Sequence, residues 1–296
     1  MKAAPFAYHR ADTLAGAVDL LAEYGDDGKI LAGGQSLVAM LAMRLTHFDN
    51  LIDISRVGEL IGIDVDGDEV VIGAATPHAL VGMDDEVADS VPLLTLATPH
   101  IGHFQIRTRG TLGGAIAHAD PAAEYAAAAL ALDARMEAVS KRGRRTIAAS
   151  DFFTGLWENS LADDEILAAV RFPVRAPRSG FAVEEFARRH GDFAIAGATV
   201  AIDVDDDDRI ARCGIGLLGL GSTPLRPSVV ESDIVGRSVA ELDVDELGRA
   251  AMAGLTDVPT DLQGSADYRR RVGATMVSRA LRSAISDVTA KVASHA

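Results

Sequence analysis

Lys29-Ile-Leu-Ala-Gly-Gly-Gln-Ser36 decides how this chain is read: a short apolar strand, Lys29 to Ala32, stops at paired glycines and gives way to an almost wholly apolar stretch, Leu37 to Leu45. Adjacent residues without Cβ atoms let backbone N–H groups converge on one point, and a helix starting near Ser36 turns its positive end toward it. A diphosphate fits such a turn. So does no ligand at all, since a tight strand-to-helix connection needs the same glycines. The helix from Leu37 lacks a polar face, which predicts burial. Upstream, Leu14, Ala17, Val18 and Leu21 fall on one helical stripe behind Asp12 and Thr13, giving an amphipathic helix to about Gly25. Downstream, Leu51 to Ile54 is the next strand, which completes a βαβ-like unit.

A second glycine pair stands in Thr111-Leu-Gly-Gly-Ala115, again beside a hydroxyl residue. It leads to Asp120, placed to cap a helix with Pro121 at its first position and alanines from Ala122 to Ala131 that favour it. Two such turns can clamp the two phosphates of one ligand without a lysine. Either one alone also reads as a glycine-rich surface loop. Gly214-x-Gly216-x-x-Gly219 matches the dinucleotide fingerprint in letters only. It lies inside a strand-like run, and Gly221, Pro224 and Pro227 follow, so no helix can start there.

Around these loops, Leu60 to Val65 and Glu69 to Gly73 form a hairpin across Asp66-Gly67-Asp68, with helical patterns from about Pro77 to Gly102. Ala134 to Ser140 and Arg145 to Ala148 pair around a turn, and Glu165 to Phe172 is another strand. The Pro/Arg-rich stretch from Pro173 to Ser179 is the predicted domain boundary, dividing residues 1–175, with lobes of about 1–56 and 57–175, from residues 176–296. Beyond it come long antiparallel strands, Phe181 to Phe186, Ala194 to Val204 and Arg209 to Leu220, then helices at about Asp243 to Leu255 and Ser265 to Val292.

With 296 residues, 48% hydrophobic and 24% charged, the chain is long enough for two folded domains. No apolar run is long enough to span a membrane, and Pro5, His9, Arg10 and Asp12 interrupt any secretory signal, so the expected address is the cytoplasm. A net charge of −15 argues against nucleic-acid or anionic-membrane partners. Residues 265–296 carry a net +4 against −19 for the rest, and Arg269, Arg270 and Arg271 cover nearly a full helical turn, so at least one faces outward, where it can pair within its own chain or with a partner. Their expected role is to help hold an assembly. The single cysteine, Cys213, excludes an intrachain disulfide and an iron–sulfur cluster held by this chain alone.

These motifs resemble a known family. Lys29 to Ser36 and Ile101-Gly-His-Phe-Gln-Ile-Arg-Thr-Arg-Gly-Thr-Leu-Gly-Gly-Ala-Ile-Ala-His-Ala-Asp-Pro-Ala-Ala-Glu124 are similar to the two flavin signatures of FAD-binding medium subunits of molybdenum hydroxylases, the carbon monoxide dehydrogenase and xanthine dehydrogenase group. Arg188-Arg-His-Gly-Asp-Phe-Ala194, Gly219-Leu-Gly-Ser-Thr-Pro-Leu-Arg226 and Ala266-Asp-Tyr-Arg-Arg-Arg271 resemble further signatures in the family's order. The resemblance implies an α+β fold: a vanillyl-alcohol-oxidase-like FAD-binding domain of two α/β lobes, then a C-terminal domain of three-stranded antiparallel sheet with helices.

It also implies site residues. Ala32, Gly33, Gly34, Gln35 and Ser36, with Thr111, Leu112, Gly113, Gly114 and Ala115, are carried over as contacts to the FAD diphosphate and ribityl chain. Lys29, Leu31, Leu37, Ile101, Gly102, Ala117 and Asp120 are carried over as neighbours. Ile166 and Leu167 would lie near the isoalloxazine, with Phe193 packed against it. The family commonly has Asn at Thr108 and often Lys at Glu185; loss of a cation near a flavin disfavours its reduction. FAD is expected to be non-covalent, because neither loop contains His or Cys, and His118 is the nearest exception.

The function implied is electron transfer: a molybdenum-cofactor large subunit oxidises a substrate, a [2Fe-2S] small subunit relays electrons, and FAD on this chain passes them to quinone, oxygen or NAD. No side chain is assigned a catalytic acid–base role. A self-sufficient FAD oxidase of the same fold is the first rival. A metal hydrolase using His100, His103, His118 and Asp120 is the second, weakened by Pro99 and Gly102 and by the capping role of Asp120. Asp205 to Asp208 lacks the spacing of a calcium loop, and Cys213 lies in an apolar run. No metal ligand set is assigned.

Overall fold

The computed structural model describes residues 2–295, with side chains of residues 2–290, so the side chains of Lys291 in the basic tail and of Val292 fall outside it. Strand β1 (Ala7–Arg10), helix α1 (Leu14–Tyr24), strand β2 (Gly28–Leu31), helix α2 (Leu37–Met43) and strand β3 (Asn50–Asp53) build a three-stranded parallel sheet in the order β1-β3-β2. Thr13 caps α1 by accepting the Gly16 N–H at 3.0 Å. Leu14, Ala17, Val18 and Leu21 then pack with Ile52 and Ile54. The sequence pattern did not reveal β1, because its four residues are mostly exposed and carry no apolar alternation.

Helix α2 corrects an expectation. Only Leu41 is buried, while Val38, Met43 and the following Leu45 are at least half exposed. An apolar helix without a polar face here marks a face that this chain leaves uncovered.

The second lobe begins with strands β4 (Ile63–Asp66) and β5 (Glu69–Gly73), turned at Gly67 with φ +69°. Helices α3 (His78–Val81), α4 (Asp85–Ser90), α5 (Pro92–Ala97), α6 (Phe104–Arg107), α7 (Leu112–His118) and α8 (Glu124–Ala131) follow. Then come β6 (Arg135–Ser140), β7 (Gly143–Ala148), α9 (Ala149–Phe152), the small hairpin of β8 (Phe153–Gly155) and β9 (Glu158–Asn159), and β10 (Ile166–Pro173). The five-stranded antiparallel sheet runs β4-β5-β10-β6-β7. Its core is centred on fully buried Leu93, Leu94, Leu112, Ile116, Tyr125, Met136, Phe152 and Phe172.

Helix α8 starts at Glu124, three residues later than the sequence signal placed it. Ala119 is left-handed, and Asp120 spends Oδ1 on the Ala122 N–H at 2.8 Å in a local turn. The carboxylate that was to cap the helix instead shapes the approach to it.

The C-terminal sheet is antiparallel, with strands β11 (Ser179–Phe186), β12 (Ala196–Val204) and β13 (Ile210–Leu218) in that order. Helix α10 (Ser228–Ile234), which the sequence pattern missed, precedes α11 (Val244–Ala253) and the long α12 (Ala266–His295). Met276, Val277, Ala280, Leu281, Ala284 and Val288 lay α12 on the sheet. On β13, a Cβ at Gly214 would stand 1.9 Å from the Ala131 carbonyl oxygen and one at Gly216 would stand 2.0 Å from that of Ala127. The fingerprint-like glycines are thus a seat for α8, which docks the second lobe onto the C-terminal sheet.

Arg269 also departs from expectation, because it is buried rather than presented to a partner. Its guanidinium donates to the carbonyls of Ile195 at 2.6 Å and Gly219 at 3.0 Å and makes a fork with both Asp261 oxygens. Arg270 reaches Asp267 and the Leu255 carbonyl, which leaves Arg271 as the exposed member. No helix among the described residues is long and apolar enough to cross a membrane.

Candidate functional site

The first glycine loop leaves β2 and enters α2, and the second leads into α7. They meet. A Cβ on Gly33 would stand 2.1 Å from the Arg109 carbonyl oxygen, and one on Gly114 would stand 3.4 Å from the Ala32 Cβ. Gly34 takes φ +72°, which L side chains rarely adopt.

The loops differ in the donors they retain. In the second, Leu112 N–H goes to Thr76 O, Gly113 N–H to Ala74 O and Ala115 N–H to Thr111 O, each at 3.0 Å, while Thr111 Oγ1 accepts Gly114 N–H at 3.1 Å. In the first, the N–H groups of Gly33, Gly34, Gln35 and Ser36 meet no acceptor among the described residues. Four consecutive open donors beside a left-handed glycine form a concavity for an anion. The first loop is therefore the one able to bind phosphate oxygens through its backbone, and the second serves as its opposing wall. The residues present fit a diphosphate-bearing cofactor.

A cavity of about 490 Å³ touches both loops at Ala32, Gly33, Thr108, Arg109 and Thr111. Its remaining wall brings in Tyr8, Arg10, Asp53 and Arg56 from the ends of β1 and β3. Sequence reasoning missed these residues, since parallel pairing alone places them beside the loops. The Tyr8 hydroxyl donates to Asp53 Oδ2 in a short hydrogen bond. Arg10, Arg56 and Arg109 give the cavity cations that the acidic composition concealed.

Other predicted neighbours gather on the α7 side. Lys29 holds its ammonium 5.4 Å over the Phe48 ring and acts electrostatically on His118. Burial lowers the His118 pKa, opposed by the Asp120 carboxylate 4.0 Å away. The His118 ring stacks on Trp157 with centroids 6.2 Å apart and planes within 9°. Ala117 accepts from the Asn159 amide at 2.7 Å, so the β8–β9 hairpin is tied across the end of α7. Leu31 and Leu37 are part-buried beside the first loop, Ile101 packs on the main core, and Gly102 takes φ +50° over Ile106.

Ile166 and Leu167 are buried, 2% and 4% exposed, and pack in the first-lobe and second-lobe cores respectively. Phe193 is well exposed, at the rim of a second cavity lined by Arg188, Arg189, Gly191, Asp192 and Gln263. His100, His103 and His118 do not converge but pair separately, His100 with Glu185, His103 with His190 and His118 with Asp120. Among the described residues, no group of three or more such side chains is arranged to hold a metal.

A parallel first lobe, an antiparallel second lobe and a three-stranded C-terminal sheet, with open amides at the first turn, define a flavoprotein of the FAD-binding-domain class. The model of the FAD binding domain in molybdopterin dehydrogenase matches residues 4–175, and that of the CO dehydrogenase flavoprotein C-terminal domain matches residues 181–284. The chain belongs to the family of FAD-binding medium subunits of molybdenum hydroxylases, which are subunits of oxidoreductase complexes. It is 40% identical over 285 residues to the 6-hydroxypseudooxynicotine dehydrogenase complex subunit alpha of Paenarthrobacter nicotinovorans, covering 96% of each chain. It is 36% identical to the carbon monoxide dehydrogenase medium chain of Hydrogenophaga pseudoflava, covering 94% of this chain and 96% of that one. Among solved structures, carbon monoxide dehydrogenase from Hydrogenophaga pseudoflava lacking the Mo-pyranopterin moiety superposes with a TM-score of 0.94 at 36% identity, over 97% of this chain and 99% of that one.

Proposed function

We propose that this chain binds FAD non-covalently between its two glycine loops, takes electrons from a [2Fe-2S] partner subunit and passes them to an external acceptor, quinone, oxygen or NAD. The observation that carries the reading is the row of open N–H groups from Gly33 to Ser36 on a loop that packs against the second one. Ala32 to Ser36 hold the diphosphate. Thr111 to Ala115 close the opposite side, with Lys29, Leu31, Leu37, Ile101, Gly102, Ala117 and Asp120 around them. Ile166 and Leu167 lie near the isoalloxazine, and Phe193 covers the outer edge.

Bound FAD supplies one- and two-electron chemistry, and this chain's own residues bind it, orient it and exclude water. No acid or base on the substrate is required of them. Cys213, the only cysteine, is buried in the C-terminal core, so relay clusters belong on a partner. The relatives' names refer to carbon monoxide and to a nicotine derivative, while the chains align over nearly their whole length. That pattern favours substrate recognition by another chain, the molybdenum-cofactor subunit. The proposed address is the cytoplasm, and the proposed domain division lies in the connection between β10 and β11.

The test is purification of the chain with its co-expressed partners. Flavin absorbance together with co-purifying molybdenum and iron supports the reading. A flavin-loaded chain that reduces its acceptor alone, with a substrate of its own, would replace it with a self-sufficient oxidase.

A further inference from the structure

His100 and Glu185 meet at the junction where the second lobe packs on the C-terminal sheet, near enough to Glu124 for its charge to act on Glu185. Glu185 lies near the end of β11 with its side chain only 5% exposed. Its Oε2 atom has no hydrogen-bond partner among the described residues. His100 Nδ1 lies 3.7 Å from it, beyond hydrogen-bond reach, on a side chain 34% exposed. Glu124 opens α8, and its charge bears on Glu185.

The surroundings offer no compensating cation. Helix α5, packed against β11, has no ionisable residue, and β12 sets Gly197 and Ala198 opposite Glu185 and Glu184. Helix α12 brings Asp287 to the Phe181 N–H near the other end of the strand. Glu184 and His190 act on His100, and Asp120 acts on Glu124. Among the described residues no lysine or arginine forms an ion pair with either carboxylate, in contrast to the many paired arginines elsewhere. A buried carboxylate with a like charge nearby and no cation is relieved most simply by a proton.

We propose that Glu185 holds a proton at the domain junction at neutral pH, with His100 as its route to solvent and the charge of Glu124 reinforcing its retention. Burial and then the Glu124 charge push Glu185 up to about 8, and burial pushes Glu124 up to about 7. The two titrate as a pair. Burial and then His190 lower His100, so a neutral acid faces a neutral imidazole at pH 7. On release, the proton leaves Glu185 Oε2 and bonds to the lone pair of His100 Nδ1, and the ring returns its Nε2 proton to water. No electron moves. This route requires the Nε2–H tautomer of His100.

The consequence for stability has a definite sign. Glu185 is raised from 4.5 to about 8 in the folded chain, so between those values the folded state binds a proton that the unfolded state lacks. Its contribution is complete below pH 4.5, is lost as pH rises toward 8, and is flat above. One proton of difference corresponds to about a tenfold change in the unfolding equilibrium per pH unit.

The test is infrared spectroscopy of the full chain, with and without ¹³C-labelled glutamate, at neutral and alkaline pH. At pH 7 we expect a protonated-carboxyl C=O band that shifts on labelling, disappears by pH 10 and is clearly weaker in Glu185→Gln, where Glu124 alone remains to carry a proton. Glu124→Gln, which removes the like charge, is the second variant and should keep the band while changing the pH of its loss. Wild type should lose up to about 100-fold more folding equilibrium between pH 6 and 8 than Glu185→Gln does. Absence of the band at pH 7 would mean a Glu185 carboxylate paired with imidazolium His100 and would overturn the proposal, as would a band of full strength in Glu185→Gln.

Discussion

The indole N–H of Trp157 donates to Oδ2 of Asp120 at 3.2 Å, pinning the tip of the β8–β9 hairpin against the exit of the second glycine loop. Trp157 pays a backbone cost for the position, with φ +58°. It is also the only tryptophan in the chain. Its place beside His118 and Asp120 makes it a built-in reporter on the proposed flavin site.

Trp157 emission should therefore be weaker in FAD-loaded protein than in protein stripped of FAD, and should recover on flavin release. Steady-state fluorescence before and after stripping is the measurement. Equal emission in both states would separate Trp157 from the flavin.

Ser36→Asp places a negative charge beside the open N–H groups without occupying a glycine position. FAD affinity should fall at least tenfold, about 1.4 kcal/mol, with little change in thermal midpoint. Thr111→Val instead removes the N-cap of α7 and should cost about 1 kcal/mol of stability. Flavin titration and denaturant melts on both variants distinguish a binding defect from a folding defect. Substituting the glycines is less informative, because Gly34 has a left-handed backbone and a Cβ on Gly114 would stand 2.7 Å from Thr111 Oγ1.

Arg269→Gln should destabilise the C-terminal domain by roughly 2–4 kcal/mol, since it removes charged hydrogen bonds and leaves the Ile195 and Gly219 carbonyls without that donor. Arg271→Gln should change stability by less than about 0.5 kcal/mol. The Arg269 guanidinium also holds Asp261 below its ordinary value of 3.8. That contribution is present above the ordinary value and is lost as pH falls through the lowered one. Denaturant midpoints at pH 7 and in acid test both statements.

Gly214→Ala should lower the melting temperature sharply, because the added methyl meets a backbone carbonyl that no side-chain rotation can move. Overpacking of this kind costs about 1–3 kcal/mol or more. A nucleotide-binding role for the fingerprint would instead predict a binding defect with unchanged stability. Melts with and without added nucleotide separate the two.

Elements with strong periodicity were legible in the sequence. Helix α1, the β4–β5 hairpin and the long C-terminal strands follow from burial patterns and turn residues within each segment. Strand β1 was not legible, because its identity comes from pairing with β3 and hardly any of its own side chains are buried. Helix α2 was read as buried because apolar composition does not say which chain covers it. Both glycine loops were legible as loops. That one keeps its amides open while the other spends them on Thr76, Ala74 and Thr111 depended on long-range contacts. Arg269 was misread for a related reason: charge alone does not distinguish an exposed arginine from one that Asp261 and two carbonyls draw inside.

The most direct measurement of the central claim is the flavin content of the purified chain in complex with its partners, after denaturation and removal of the protein. The account predicts close to one FAD per copy of this chain in the supernatant, reduced in the Ser36→Asp assembly at equal protein. A wild-type assembly that stays free of flavin with FAD in excess, or a yellow chromophore that stays on the denatured chain, would contradict it.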